Sequence, residues 1–163
     1  IDSINFTDKK FCLITNKSGL NKEIKLYEMI LKKLGYVIDY LDLYTNYLKN
    51  TSCYHSIELL TIQNKYKFIL CFENSYSDGY ITEKIFNCFF AKTIPLYKGA
   101  PDINKYINKE SFINLNDIDF IDKINYLNSN EEKYNMMINT NKISTNYTNN
   151  NYKNKLEEII DIK

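Results

Sequence analysis

Short apolar runs alternate with stretches in which apolar residues recur at helical spacing. The apolar runs predict strands at residues 10–15, 36–41, 68–73, 93–97 and 112–115. The helical spacing predicts helices at residues 21–34, 56–63, 80–91, 118–127 and 131–139, a short one at 102–106 and a last one at 155–163. Gly35 directly follows the first helical pattern, where a glycine commonly ends a helix.

This alternation of strands and helices predicts an α/β fold with a Rossmann-like parallel sheet flanked by helices. We expect one domain over residues 1–138. Residues 139–163 are predicted to form an Asn-rich linker, loop or disordered, that leads into the C-terminal helix.

The composition narrows the classes of function. The chain has 163 residues and a formal net charge of +1, from 21 basic and 20 acidic side chains. This balance argues against a nucleic-acid partner and against contact with an anionic membrane, and no apolar run approaches the roughly 20 residues that cross a bilayer. Because the chain begins at Ile1 and not at Met, close to a core strand, we expect an excised domain or a processed or partial chain, with further functions upstream.

The cysteines do not indicate a metal site. Cys12, Cys53, Cys71 and Cys88 form no Cys-x-x-Cys pair and have no neighbouring His cluster, so we expect no structural zinc. We expect all four to be reduced thiols, with a disulfide between two of them left open.

The segment from residue 68 to residue 84 carries the strongest functional signal. An apolar strand pattern ends abruptly in polar and turn-forming residues, and a helical pattern begins at Tyr80. In α/β sheets, ligands bind beyond the carboxyl ends of the strands, and a helix N-terminus there presents unpaired N–H groups to an anion. Glu83 and Lys84 lie in that first helical turn.

Two sequence blocks in this segment resemble the donor-binding signature of the α1,3-fucosyltransferases. The blocks are Phe72-Glu73-Asn74-Ser75 and Tyr80-Ile81-Thr82-Glu83-Lys84, in register with each other, and the similarity continues through residues 94–101 and 111–115. The resemblance implies the C-terminal, donor-binding half of a two-domain GT-B glycosyltransferase. It also implies binding of GDP-fucose for inverting α1,3-fucosyl transfer to a glycan acceptor. The acceptor site and the general base would belong to a missing N-terminal domain, and no cofactor or metal ion is expected.

The chemistry of a sugar nucleotide assigns tasks to these residues. A carboxylate accepts hydrogen bonds from both ribose hydroxyls, which makes Glu83 the candidate for the ribose. A cation at the departing diphosphate stabilises the transition state, which makes Lys84 the candidate for the phosphates. In the family the matching Tyr, Glu and Lys contact the nucleotide. The predicted donor-binding residues are Asn74, Tyr80, Thr82, Glu83, Lys84 and Lys22.

One departure from the family pattern concerns an arginine. The loop after the first strand usually carries an Arg that clamps the diphosphate, and this chain contains no Arg. Lys22 is the nearest positional match and Lys17 an alternative. The lysine ammonium is a point charge and lacks the planar pair of N–H donors that a guanidinium offers, so weaker phosphate binding is expected. A solvated Lys22 at the start of an amphipathic helix explains the sequence equally well.

Two further residues are weaker candidates. Glu73 closes the signature strand and is a possible catalytic carboxylate, although the favoured interpretation is that it bonds nearby backbone and fixes the loop. His55, the single histidine, lies in a poorly patterned segment, and we expect it at the surface or the edge of the core.

Two alternatives to the fucosyltransferase remain open at this stage. One is a non-catalytic Rossmann-like binding or interaction module, favoured by the missing Arg, and the other is a transferase for another nucleotide sugar. Localisation also stays open: the resemblance implies a Golgi membrane protein with a lumenal domain in a eukaryote, and a cytoplasmic one in a bacterium or virus.

Overall fold

A computed structural model describes residues 1–15, 22–41 and 57–145 of the chain. These residues form a five-stranded sheet in which every pairing is parallel and the strand order is β2-β1-β3-β4-β5. The predicted Rossmann-like α/β fold is confirmed. The strands are β1 (Lys10–Ile14), β2 (Ile38–Tyr40), β3 (Tyr66–Phe72), β4 (Ile94–Lys98) and β5 (Ile113–Asn114).

The described helices flank this sheet on both faces, and their ranges follow the predicted ones closely except for the helix predicted from residue 80, which begins later. None of them is long and apolar enough to cross a membrane. They are α1 (Lys22–Lys33), α2 (Ile57–Gln63), α3 (Glu83–Phe90), α4 (Phe120–Asn128) and α5 (Glu131–Asn139), with short 3-10 turns at Phe6–Asp8, Ile103–Lys105 and Lys109–Ser111.

The sheet separates two apolar cores. Side chains that alternate along β3 point to opposite faces, so Leu70 and Phe72 pack with α1, α4 and α5, whereas Ile69 and Cys71 pack with α2 and α3. Both faces are covered, which explains why β3 is a continuous apolar run without alternation. Within the described ranges, the cysteines at 12, 71 and 88 are buried free thiols, as predicted; Cys53 lies outside those ranges.

The end of α1 shows how the sequence sets a helix boundary. Gly35 has φ +90°, a conformation that strains residues with a side chain. Its N–H donates to the Lys32 carbonyl at 3.0 Å, and the Tyr36 N–H donates to the Leu31 carbonyl at 3.2 Å. This pair of bonds is the Schellman motif, so the predicted role of Gly35 is confirmed.

The described part of the predicted linker contacts the domain. Ile143 forms an isolated antiparallel bridge with Ile107, and the buried Ser144 donates its N–H to the Tyr106 carbonyl at 2.9 Å. Residues 146–163, which include the predicted C-terminal helix, lie outside the described ranges.

The strand order places a crevice at one edge of the sheet. The chain runs from β1 outward to β2 on one side, and from β3 outward to β4 and β5 on the other. The carboxyl ends of β1 and β3 therefore flank the topological switch point, where parallel α/β sheets bind their ligands. The first turn of α1 and the loop of residues 74–82 after β3 border this crevice.

Candidate functional site

Glu73 fixes the base of the loop that follows β3. Its backbone N–H donates to the Lys98 carbonyl at 2.9 Å, which continues the pairing of β3 with β4. Its carboxylate is buried and accepts two hydrogen bonds from Thr82, one from the backbone N–H at 3.1 Å and one from the hydroxyl at 2.8 Å. Both ends of the 74–82 loop are thus tied to one side chain.

The surroundings of the Glu73 carboxylate shift its proton affinity in opposing directions. Burial raises the pKa of Glu73, and the hydrogen bonds from Thr82 together with the nearby positive charge of Lys84 partly offset that rise. Both oxygens are engaged within the loop. This geometry favours the interpretation that Glu73 fixes the loop over the one that makes it a catalytic carboxylate.

Gly99 leaves room for this anchor. A Cβ atom at residue 99 would lie 2.5 Å from Cγ of Glu73 and 2.5 Å from the hydroxyl oxygen of Tyr97. That hydroxyl accepts the backbone N–H of Ala100 at 3.1 Å, so it is held in place. The turn after β4 therefore requires glycine because two fixed, buried side chains occupy the space.

The helix after the loop begins later than the sequence pattern indicated. The prediction that it starts near Tyr80 is wrong: α3 begins at Glu83, with Thr82 as an extended N-cap residue (φ −107°, ψ −176°) whose hydroxyl accepts the Lys84 N–H at 3.4 Å. Tyr80 and Ile81 are held in turns instead, since the Tyr80 N–H donates to Ser77 and the Ile81 N–H to Gly79. Glu83 and Lys84 are consequently the first two residues of the helix, where the dipole is strongest.

The Glu83 and Lys84 side chains are the chemically available groups at this helix terminus. Both residues are half-buried. Their side chains have neither a hydrogen bond nor an ion pair within the described parts of the chain, although the Lys84 charge acts on the Glu73 carboxylate. A carboxylate and an ammonium on adjoining residues are thereby left for an external partner at the carboxyl edge of the sheet.

The remaining predicted site residues border the same edge. Asn74 is exposed and Tyr80 is 39% exposed, so both side chains open to solvent from the loop. Gly79, at φ +70°, donates its N–H to the Asp102 carboxylate at 2.8 Å, which joins this loop to the turn after β4. The Thr82 hydroxyl, by contrast, is used internally as the helix cap.

The first turn of α1 reaches the crevice from the other side. Lys22 is the exposed first residue of α1, while Lys17 and His55 lie outside the described residues. Next to Lys22, the Glu23 carboxylate accepts the Tyr76 hydroxyl at 2.7 Å and pairs with the Lys98 ammonium at 3.6 Å. Sequence reasoning missed Glu23, Tyr76 and Lys98; the available signal was a lysine directly after the apolar β4 pattern, on the same sheet edge as the signature.

The carboxylates of the described residues do not assemble a metal site. No group of three or more His, Cys, Asp or Glu side chains in those ranges is placed to hold an ion. An Asp-x-Asp sequence does occur at Asp117-Ile118-Asp119. Its two carboxylates pair with the Lys123 ammonium at 3.0 and 3.2 Å, at the start of α4.

Comparison with known proteins finds similarity to fucosyltransferases. Alpha-(1,3)-fucosyltransferase FucT of Helicobacter pylori is 38% identical over 102 residues, which are 60% of this chain and 21% of that protein. A crystal structure of an alpha1,3-fucosyltransferase superposes with a TM-score of 0.71 at 29% identity, covering 88% of this chain and 42% of the other. Another, an alpha1,3-fucosyltransferase with GDP-fucose, gives 0.64 at 28% identity, covering 85% and 40%.

The family comparison covers nearly the whole chain. The chain spans less than half the length of each of these relatives. The family model described as glycosyltransferase family 10 (fucosyltransferase) C-term matches residues 7–162, a range that contains both signature blocks and the complete sheet. The chain belongs to glycosyltransferase family 10, the fucosyltransferases, in the C-terminal region of that family.

Proposed function

We propose that this chain binds GDP-fucose and supplies the donor-binding half of an α1,3-fucosyltransferase. The observation that carries the proposal is the pair of adjoining side chains, Glu83 and Lys84, without intramolecular partners in the described structure at the first turn of α3. Family membership supports it, as does a solved relative whose crystal contains GDP-fucose.

The chemistry of the two groups matches two parts of a nucleoside diphosphate. In this proposal Glu83 accepts hydrogen bonds from the adjacent ribose hydroxyls. Lys84 and the N-terminus of α3 face the diphosphate, whose negative charge grows as the bond to the sugar breaks. These positive groups stabilise the transition state more than the ground state, which accelerates transfer. They supply the charge without a metal ion or another cofactor.

The other residues at the edge complete the donor site in supporting roles. Asn74 and Tyr80 contribute hydrogen bonds from the loop, and Lys22 contributes charge from the start of α1. Thr82 acts through its contacts with Glu73 and Lys84, because its hydroxyl is already used as donor and acceptor. It keeps the first turn of α3 in position.

Binding of the acceptor and removal of the proton from its hydroxyl group are assigned to groups outside the described site. Inverting transfer requires a general base on the face of the sugar opposite the leaving nucleotide. We place that base and the glycan acceptor site in an N-terminal domain. Robust fucosyl transfer by residues 1–163 alone would contradict this division.

Calorimetric titration tests the donor assignment. We expect saturable binding of GDP and GDP-fucose, with weaker binding of GDP-mannose and of UDP-sugars. Lys84→Met should weaken GDP binding by roughly 10- to 100-fold, the net worth of a hydrogen bond to a charged group. The exposed Lys133 on α5 provides a matched control, since Lys133→Met removes the same charge away from the edge.

A modified nucleotide separates the role of Glu83 from that of Lys84. If Glu83 binds the ribose, 2′-deoxy-GDP should bind the parent protein more weakly than GDP does, and Glu83→Gln should reduce that difference. Lys84→Met should leave the difference unchanged. The absence of saturable heat with every nucleotide would contradict donor binding and favour the interaction module.

A further inference from the structure

A second lysine, outside the signature, reaches the same crevice. Lys98 is the last residue of β4, and its neighbour in the sheet is Phe72, the last residue of β3. Its side chain is only 16% exposed. It extends over the edge between the first turn of α1 and the loop of residues 74–82, which are the two borders of the switch-point crevice.

Two aromatic rings lie close to the ammonium group of Lys98. The Nζ atom lies 5.2 Å from the centre of the Tyr27 ring and 6.0 Å from that of the Tyr76 ring. It donates a hydrogen bond to the Tyr27 hydroxyl at 3.3 Å. These contacts hold the ammonium in one place and shield it from water.

The ammonium is incompletely bonded where it lies. An ammonium group has three N–H donors, and the Tyr27 hydroxyl takes one of them. The nearest carboxylate oxygen, from Glu23, is 3.6 Å away, beyond hydrogen-bond length, and this oxygen already accepts the Tyr76 hydroxyl at 2.7 Å. Among the described residues, Lys98 therefore keeps hydrogen-bonding capacity, and the Glu23 carboxylate that pairs with it is shared with Tyr76 and 44% exposed.

We propose that Lys98 is a second cation for the diphosphate of the nucleotide, and that Glu23 is the counterion which the diphosphate displaces. This inference rests on the proposed binding of GDP-fucose and adds to it a binding residue and its competitor. A diphosphate brings more negative charge than one carboxylate and offers acceptor oxygens to the open N–H donors. The shielded position strengthens that attraction relative to a lysine in bulk water.

The proposal also accounts for phosphate binding in a chain without arginine. The described crevice is bordered by three lysines: Lys22 is exposed, Lys84 is half-buried, and the side chain of Lys98 is 16% exposed. In this proposal several lysine ammonium groups from different elements bind the diphosphate, which the guanidinium of a single arginine would otherwise hold. Tyr76 links the nucleotide loop to α1 through Glu23, so displacement of Glu23 also releases this contact.

Two isosteric substitutions with opposite expected signs test the exchange of partners in the full chain. Lys98→Met should weaken GDP binding at least about tenfold and reduce its dependence on salt, because one phosphate contact is lost. Glu23→Gln keeps an acceptor for Tyr76 but removes the competing charge, so GDP should bind several-fold more tightly. Lys98→Arg should retain most of the affinity, and Lys133→Met serves as the control.

The possible outcomes distinguish this inference from the proposed function. If the parent chain binds GDP while Lys98→Met binds it equally well, Lys98 has no role and donor binding stands. If Glu23→Gln weakens GDP binding, the Glu23–Lys98 pair is a structural contact and the exchange is wrong. Thermal unfolding of each variant shows whether a loss of GDP binding comes from misfolding. If Lys98→Met is misfolded, the direction of the change in GDP affinity in Glu23→Gln decides the test. If the parent binds no nucleotide, both proposals fall.

Discussion

The lysines at the two ends of the sheet have opposite surroundings. At the amino end, Lys9 donates to the Asn64 amide oxygen at 3.3 Å and to the Lys92 carbonyl at 2.8 Å, and Lys67 donates to Asn128 at 3.1 Å. At the carboxyl end, Lys84 has no partner within the described structure, and Lys98 has one hydrogen bond and a loose ion pair. The amino-end amines have fixed acceptors within the fold, whereas the amines at the carboxyl end keep hydrogen-bonding capacity within the described structure.

The pKa values of the amino-end lysines reflect their enclosed surroundings. Burial lowers the pKa of Lys9 to about 8, with a further contribution from the charge of Lys92, and burial also lowers the pKa of Lys67. Enclosing these charges opposes folding, so they are tolerated only with fixed hydrogen-bond acceptors. At the opposite end, the described structure gives Lys84 no such acceptor and gives Lys98 one, the Tyr27 hydroxyl, as the proposed donor site requires.

Substitution of Gly99 should have the largest effect on stability, because it disturbs the packing of Glu73 and Tyr97 at the carboxyl end of the sheet. Gly99→Ala places a methyl group 2.5 Å from Cγ of Glu73, so the loop anchor must shift. We expect a loss of about 3 kcal/mol in the free energy of unfolding, at the upper end for an overpacked site. Urea denaturation measures it.

Gly35→Ala is the matched control for this substitution. No atom lies within 4 Å of a Cβ at residue 35, so only its φ of +90° opposes alanine. We expect a loss of about 1 kcal/mol there. Equal losses at the two glycines would mean that the anchor around Glu73 is adaptable and does not set the position of α3.

The pH dependence of the free energy of unfolding tests the enclosed lysine at the amino end of the sheet, and the expected effect is intermediate in size. Lys9 has a pKa of about 8 in the folded protein and 10.5 as its ordinary value, so between these pH values the unfolded chain binds the additional proton. Stability should therefore rise with pH in this window. Between pH about 7.5 and about 9.5 the rise from Lys9 should be about 1 kcal/mol, after allowance for its partial exposure.

Lys9→Met should flatten this profile, whereas Lys133→Met should leave it unchanged. Chemical denaturation at a series of pH values provides the measurement. A parental profile that falls over the same window, or that Lys9→Met does not alter, would show that the amine at the amino end is well hydrated and that the contrast between the two ends is incorrect.

Lys22→Arg should have the smallest effect and would sharpen the assignment at the carboxyl end. A guanidinium fork binds phosphate through two parallel hydrogen bonds, which the lysine point charge does not offer. We expect GDP affinity to rise about threefold, or about 0.6 kcal/mol. Calorimetry measures it, and no change would mean that Lys22 is a solvated residue at the start of α1.

Local sequence signals were sufficient for most of the architecture. The apolar run of β3 and the glycine at residue 35 predicted a strand and a helix end that the structure confirms. The sequence also placed Glu83 and Lys84 in the first turn of a helix after this strand, because a strand, a loop and a capped helix are contiguous along the chain. The start of α3 was misplaced because turns at Ser77 and Gly79 interrupt a pattern that looks helical from Tyr80 onward.

The contacts across the crevice were beyond local reasoning. Glu23, Tyr76 and Lys98 belong to three different elements, and no periodicity or motif links them. The use of Thr82 as the partner of Glu73 was equally hidden, since a Thr in a signature block is compatible with either a ligand contact or a cap.

By itself, the sequence determined the alternation of strands and helices, the two-sided burial of the central strand and the family of the chain, because periodicity and contiguous motifs are local properties. The tertiary structure decided which charges are satisfied. Parallel strands bring the ends of distant segments together at each edge of the sheet. Only the assembled edges show that Lys9 is paired and buried, that Lys84 has no partner among the described residues, and that Lys98 shares its counterion with Tyr76.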